Sequence, residues 1–219
     1  METPLSYFSV NRIFFTVLDY QMSYLEFVGT IFYLWSVWLI AQKKMLTWPI
    51  GIIAVILFGI LFYQIQLYSD TIEQFYYLGA SIYGWLFWKK DQKSTESAEI
   101  DVRISSARAI VIWATITIAA TVIVTIFMKN IHHTFPKLFP VPASYPFVDA
   151  LTTMMSFTAM FLMAQKRIES WIYWIIVDVI GIGLYFVKNV KFLSLLYVIL
   201  LVLAIKGFWV WLNSLKAKS

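Results

Sequence analysis

The feature that most constrains this chain is a succession of apolar runs, each about as long as a lipid bilayer is thick. They lie at Tyr24 to Ala41, Trp48 to Tyr68, Thr71 to Trp88, Ala107 to Met128, Phe147 to Ala164, Ser170 to Lys188 and Phe192 to Leu212. A helix needs about 20 residues to cross the hydrocarbon layer. Seven crossings and short connections therefore consume nearly all 219 residues and leave no length for a second, soluble domain. Only 13% of the residues are charged and 61% are hydrophobic, whereas soluble domains carry about 25% charged residues. The first twenty residues lack both a basic start and an uninterrupted apolar stretch, so insertion is expected from the spans themselves rather than from a cleaved signal.

The chain also repeats itself at a shift of 123 residues. Leu39, Ala41, Gln42 and Lys43 recur as Leu162, Ala164, Gln165 and Lys166. Trp48, Ile52 and Ile53 recur as Trp171, Ile175 and Ile176, and Leu61, Gly84 and Trp88 as Leu184, Gly207 and Trp211. Apolar coincidence does not keep Gln-Lys, two tryptophans and a glycine in register. Three spans reverse orientation, and the unpaired fourth restores it. The expectation is an all-α integral membrane protein in a parallel 3+1+3 repeat, as in SWEET-type carriers, with its binding site near the midplane. The corresponding division is an N-terminal interfacial segment at 1–22, the first triplet at 23–90, and a linker with the fourth helix at 91–146. The second triplet follows at 147–213, with a tail at 214–219.

The net charge of +5 is better explained by topology than by nucleic acid, because the basic residues sit between apolar runs. With the N-terminus outside, Lys43, Lys44, Lys89, Lys90, Lys93, Arg103, Arg108, Lys166, Arg167, Lys216 and Lys218 face the cytoplasm. Arg12, Lys129, Lys137, Lys188 and Lys191 face out. This is the distribution the positive-inside rule favours. Phe8, Ile13, Phe14, Val17 and Leu18 are expected to form one face of an interfacial helix.

Asp178 is the leading candidate for chemistry. It lies in the middle of the sixth span, where a carboxylate costs about 2.5–3.5 kcal/mol on insertion scales. Trp171, Trp174, Asp178, Gly181 and Tyr185 follow helical spacing, so one face offers two indoles, a carboxylate, a gap and a phenol. Such a face suits a flat cationic ring, held by stacking and by cation–π attraction. The plainer alternative is an Asp paired within the bundle and tryptophans that anchor at an interface, Trp171 above all. On the third span Glu73, Gln74, Tyr76 and Tyr77 offer polar groups at successive depths, while Gly84 permits close packing. Asp70 and Glu73, and likewise Ser23 and Glu26, have the spacing of a capping box. Gln64 is a weaker site candidate. Lys206 either snorkels or pairs with Asp178.

His132 and His133 lack a third ligand at recognisable spacing, so no metal is expected. Neither a phosphate-cradling glycine loop nor a Ser/His/Asp set is evident. The expectation is a carrier without cofactor rather than an enzyme, with a heptahelical ligand-binding sensor as the reading from another class.

The segments YLEFVGT, FGILFYQIQLYSDTIEQFYYLGASIYGW, PFVDALTTMMSFTAMFLMAQKR and SWIYWIIVDV resemble the PnuC family of bacterial vitamin-precursor transporters. The family's Trp-x-x-Trp-x-x-x-Asn/Asp pattern is matched by Trp171, Trp174 and Asp178. The resemblance implies a SWEET-like fold, a homotrimer in the bacterial inner membrane, and facilitated diffusion of nicotinamide riboside. It also implies trapping by a cytoplasmic kinase. Related PnuT proteins imply thiamine as the near alternative.

Overall fold

The computed structural model describes residues 8–17, 20–94, 100–135, 144–187 and 191–217. Within them the chain forms a short hairpin, β1 (Ile13–Val17) and β2 (Tyr20–Ser23), and then α1 (Tyr24–Ala41), α2 (Thr47–Gln64) and α3 (Tyr68–Ser94). It continues with α4 (Ala107–Thr134), α5 (Pro146–Ala164), α6 (Glu169–Val187) and α7 (Lys191–Lys216). Six of these helices are long and apolar enough to cross a membrane. The other, α3, has the length but carries Asp70, Glu73 and a charged tail. Lys137, Lys188 and Lys218, assigned above to one side or the other, lie outside the described residues.

Most helix ends fall within a few residues of the apolar runs. α3 and α4 run on to Ser94 and Thr134, six residues past their apolar runs, and the second run breaks at Ile65 to Leu67, where Gln66 takes a left-handed φ of 62°. Gln66 and Leu67 donate their backbone N–H groups to Tyr63 and Phe62, which is the paired bonding of a Schellman ending. Lys43 and Lys166, one repeat apart, end α1 and α5 in the same way at φ 57° and 62°.

The N-terminal segment is a β-hairpin rather than an interfacial helix. IFFTV is β-branched and aromatic at every position, which favours a strand, and five residues are too few to sustain an isolated helix. Phe15, Thr16 and Val17 pair antiparallel with Met22, Gln21 and Tyr20. Leu18 lies outside the described residues. Phe14 packs on Tyr24 and Phe27, Tyr20 stacks on Phe192 of α7, and the Gln64 amide holds Val10 N–H and Phe8 C=O at 3.0 and 2.7 Å. The hairpin thus lies against the ends of α1 and α7, and the residues that precede it lie against the end of α2.

Helix contacts run α1 to α2, α2 to α3, α3 to α5, α5 to α6, α6 to α7 and α7 back to α1, closing a ring of six helices. The remaining helix, α4, packs chiefly on α5 from outside. Thr117 on α4 shares a 2.7 Å hydroxyl hydrogen bond with Thr158 of α5. One end of the ring carries the hairpin; the other carries Lys43 and Lys166 and is called the basic end below.

The basic end is sealed by four fully buried tryptophans, Trp48, Trp88, Trp171 and Trp211. Trp48 meets Trp88 edge to face at 5.2 Å, and Trp171 meets Trp211 in the same way at 5.6 Å. Gly84 and Gly207 make this possible: a Cβ on either would fall 2.3 or 2.5 Å from the ring of Trp48 or Trp171. The indole N–H of Trp88 donates to Ala164 C=O at 2.9 Å, and that of Trp211 donates to Ile40 C=O at 3.1 Å. Each half of the chain is therefore bonded to the end of the other half's first helix.

Candidate functional site

Asp178 sits midway along α6 and is only 3% exposed. Among the described residues no lysine or arginine pairs with it. Lys206 is exposed, so the pairing of Lys206 with Asp178 weighed above is not made. The groups within electrostatic reach of Asp178 are Tyr33 of α1 and Tyr197 of α7. Tyr197 also lies within electrostatic reach of Tyr33 and Tyr77 and is in ring contact with Tyr185. Helices α1, α3, α6 and α7 are all members of the ring, so side chains that meet in this way face its interior.

The gap expected at Gly181 is filled. A Cβ there would lie 2.4 Å from the ring of Tyr197, so Tyr197 packs flat against the α6 backbone. Its ring also stacks on Tyr185 at 5.3 Å and 22°, and the two side chains are hydrogen-bonded. The face of α6 that carries Asp178 is thus covered by a second helix.

Trp174 is partly buried against the tryptophan cluster, one turn from Asp178 towards the basic end. Trp171 lies in the tetrad, 1% exposed, its ring taken up by Gly207 and Trp211. Its indole N–H, like that of Trp48, makes no hydrogen bond among the described residues. Both nitrogens occupy the same repeat position.

Across the ring, α3 turns its polar groups towards α5. Tyr76 donates to Phe157 C=O at 2.7 Å and stacks on the Phe157 ring at 4.0 Å. Tyr77 meets Phe157 edge to face and hydrogen-bonds Ser156. Glu73 accepts from Thr153 Oγ1 at 3.1 Å instead of closing a capping box, because α3 begins at Tyr68 and places Asp70 inside its first turn. Ser23 does cap α1, accepting from Glu26 N–H at 3.1 Å, but the Glu26 carboxylate takes the Tyr20 hydroxyl rather than returning to the cap. Gln74 stays local, its amide donating to Asp70 C=O. Gln64 is engaged with the N-terminal segment, as described, and positions the hairpin.

Nearer the hairpin end, Asp70 lies within electrostatic reach of both Glu73 and Asp149. From the hairpin end to the basic end the order is therefore three carboxylates, the tyrosines, Asp178 and Trp174, and then the tetrad. Tyr33 and Tyr197 were missed in the sequence because a tyrosine within an apolar run reads as an interfacial residue, and no local spacing links α1 or α7 to Asp178.

At the basic end Asp91 binds Lys166 at 2.5 Å and Arg103 at 2.8 Å. Partial burial pushes the Asp91 carboxyl up, but the bonds and charges of Lys166 and Arg103 outweigh it and hold the group below its usual value. Arg103 belongs to a strap between α3 and α4. Its N–H donates to Lys166 C=O at 2.9 Å, Ile168 N–H donates back to Arg103 C=O at 3.1 Å, and Ser105 N–H donates to Glu169 at 2.7 Å. Ile100 and Val102 of the strap are buried in the tryptophan cluster. Lys43, the repeat-mate of Lys166, instead donates to Ser214 Oγ at 2.8 Å, and Ser214 is the repeat-mate of Asp91.

This is the arrangement of a membrane transport protein: a ring of apolar helices with aromatic and acidic residues between them and a tryptophan cluster at its basic end. The chain belongs to the family described as nicotinamide mononucleotide transporter, whose model matches residues 23–213. It is 30% identical over 234 residues to the nicotinamide riboside transporter PnuC of Escherichia coli (strain K12), covering 98% of each chain. To the riboflavin/roseoflavin transporter RibM of Streptomyces davaonensis it is 27% identical, covering 94% of this chain and 92% of that one. The fold matches the crystal structure of the vitamin B3 transporter PnuC with a TM-score of 0.69 at 22% identity, over 90% of this chain and 83% of that one.

Proposed function

We propose that this carrier takes up nicotinamide riboside, with Asp178 as the counter-charge to the pyridinium ring and Trp174 stacking beneath it. The observation that carries the reading is a carboxylate at mid-depth in the ring, 3% exposed and unpaired by lysine or arginine among the described residues. A buried charge without a partner is costly, and a flat cation supplies that partner. The family description names the mononucleotide and the E. coli relative is named for the riboside. Asp70, Glu73 and Asp149, gathered towards the hairpin end, favour the riboside, since a phosphate would be repelled there.

The same reading takes the six-helix ring and the external α4 as a SWEET-like 3+1+3 arrangement of seven spans. It places the hairpin outside and the basic end in the cytoplasm of a bacterial inner membrane. The remaining elements are a homotrimer, passive diffusion and trapping by a cytoplasmic kinase. Tyr185, Gln74, Tyr76 and Tyr77 form the walls of the path, with Glu73 near its mouth.

Counterflow in proteoliposomes is the test. Labelled nicotinamide riboside should exchange against the unlabelled compound without a proton or sodium gradient, and nicotinamide mononucleotide should not compete. Preferential exchange of thiamine or riboflavin would replace the substrate, and binding without exchange would make the protein a sensor.

A further inference from the structure

Asp178 is buried, yet any solute that reaches it from the hairpin end has to pass what covers it. Three observations identify the cover. Tyr197 lies flat on Gly181, one turn from Asp178 towards the hairpin end, so close that a methyl group on that glycine would overlap its ring. It stacks on Tyr185, a further turn along the same face. It lies within electrostatic reach of Tyr33 on the neighbouring α1 and of Tyr77 on α3. The repeat shows that the ring is not required to build the fold: the positions equivalent to Tyr197 and Gly181 in the first half are Gln74 and Phe58, so neither the phenol nor its glycine seat is present there. The aromatic ring and the notch that seats it are thus added in only one half.

We propose that Tyr197 is a movable lid between the acidic vestibule and Asp178, seated on Gly181, and that its ring selects which flat heterocycles reach the carboxylate. In the closed position the ring rests in the Gly181 notch and spans towards Tyr33 and Tyr77. To admit a solute it leaves Tyr33 and Tyr77 while remaining stacked on Tyr185. Solutes wider than one aromatic ring are excluded by the space the phenol still occupies. This deepens the proposed function and rests on Asp178 being the end of the path.

The test needs no transport, because the chain contains no cysteine. With Asp178→Cys as the single thiol, an impermeant alkylating reagent added at the hairpin face should react at least ten-fold faster when Tyr197→Ala is present. It should react more slowly with Gly181→Ala, which forces the ring off its seat and into the path. The double variant Gly181→Ala with Tyr197→Ala should recover the fast rate, since the clash is gone. In the chain with Asp178 intact, Tyr197→Ala should narrow the preference for nicotinamide riboside over riboflavin in counterflow by at least ten-fold. Should Gly181→Ala fail to fold, the Tyr197→Ala rate and preference decide alone. Equal alkylation rates with and without Tyr197, or an unchanged preference, would overturn the lid. Failure of the parent to exchange nicotinamide riboside, with the alkylation rates as expected, would overturn the substrate assignment and leave the lid standing.

Discussion

At the scale of single residues, Asp178 and Trp174 are the pair on which binding should turn. Asp178→Asn keeps the shape and much of the hydrogen bonding but removes the charge. Losing a charged hydrogen bond is expected to weaken binding by about 1.5–3 kcal/mol, roughly ten-fold or more in Kd. Trp174→Ala should weaken it by about 0.5–2 kcal/mol through lost stacking and cation–π attraction. Calorimetric titration of nicotinamide riboside into the detergent-solubilised protein measures both, and parent-like binding by both folded variants would remove the site. Asp91 is a different kind of acid. Asp91→Ala leaves the buried Lys166 ammonium without its counter-charge, at a cost of about 3 kcal/mol, whereas Asp91→Ser reproduces the Lys43 and Ser214 pairing and should recover part of it. Because the Asp91 carboxyl is held below its usual value in the folded protein, its contribution is present above the ordinary carboxylate range. It is lost as pH falls through the lowered folded value. Thermal melting should show an acid limb in the parent that Asp91→Ser lacks; the same acid limb in both would deny Asp91 that role. Asp178 stood out in the sequence as a site candidate because charge inside an apolar run is conspicuous, and its burial is consistent with the candidate role. Trp171 was legible only as a motif member, since the tetrad that occupies it is assembled from α2, α3, α6 and α7.

The elements were legible where one physical signal dominated. Apolar length places α1 at Tyr24–Ala41 without error, and Gly84 was rightly read as a close-packing position. The signal failed at Gln66, where a largely apolar run conceals a helix ending that lacks glycine, and in the hairpin, where Ile13, Phe14 and Val17 at helical spacing were taken as a helix face. The Gln66 ending carries a cost that can be measured. A side chain in the left-handed region is unfavourable by about 1–2 kcal/mol, and Gln66 is exposed. Gln66→Gly should therefore raise stability by about 0.5–1 kcal/mol after the greater chain entropy of glycine is offset. Thermal unfolding in detergent checks it, and a destabilised variant would mean that the side chain holds the turn. The same change at Lys43 or Lys166 should not stabilise, because those ammonium groups bind Ser214 and Asp91.

For the whole molecule, the repeat is kept where the fold needs it and broken at the residues proposed to meet solute. Trp48, Gly84, Trp88 and Lys43 have identical partners 123 residues on, while Asp178 is matched by Val55, Trp174 by Gly51, Glu73 by Leu196 and Tyr77 by Leu200. The repeat was visible in the sequence; that it builds a seal at one end of a closed ring was not, because this depends on bonds between halves. Those bonds give a last prediction. For the basic end to open, the seams between α3 and α5 and between α7 and α1 must part, and each is held by one indole N–H donated to a carbonyl of the other half. Trp88→Phe and Trp211→Phe each remove one such bond and keep most of the ring. A bond of this kind is worth about 0.5–1.5 kcal/mol, so each change should raise the open population by about two- to ten-fold. The α3 to α5 seam is also latched by the ion pairs of Asp91 with Lys166 and Arg103, whereas among the described residues the α7 to α1 seam has only the weaker Lys43 to Ser214 bond besides its indole, so Trp211→Phe should act more strongly than Trp88→Phe. A cysteine at Ala204, buried in the cluster at 2% exposure, reports opening through its rate of reaction with a small permeant maleimide. Faster labelling in both variants, larger for Trp211→Phe, is the expected result; unchanged labelling in both would mean that the tetrad is a fixed floor and that solute leaves by another route.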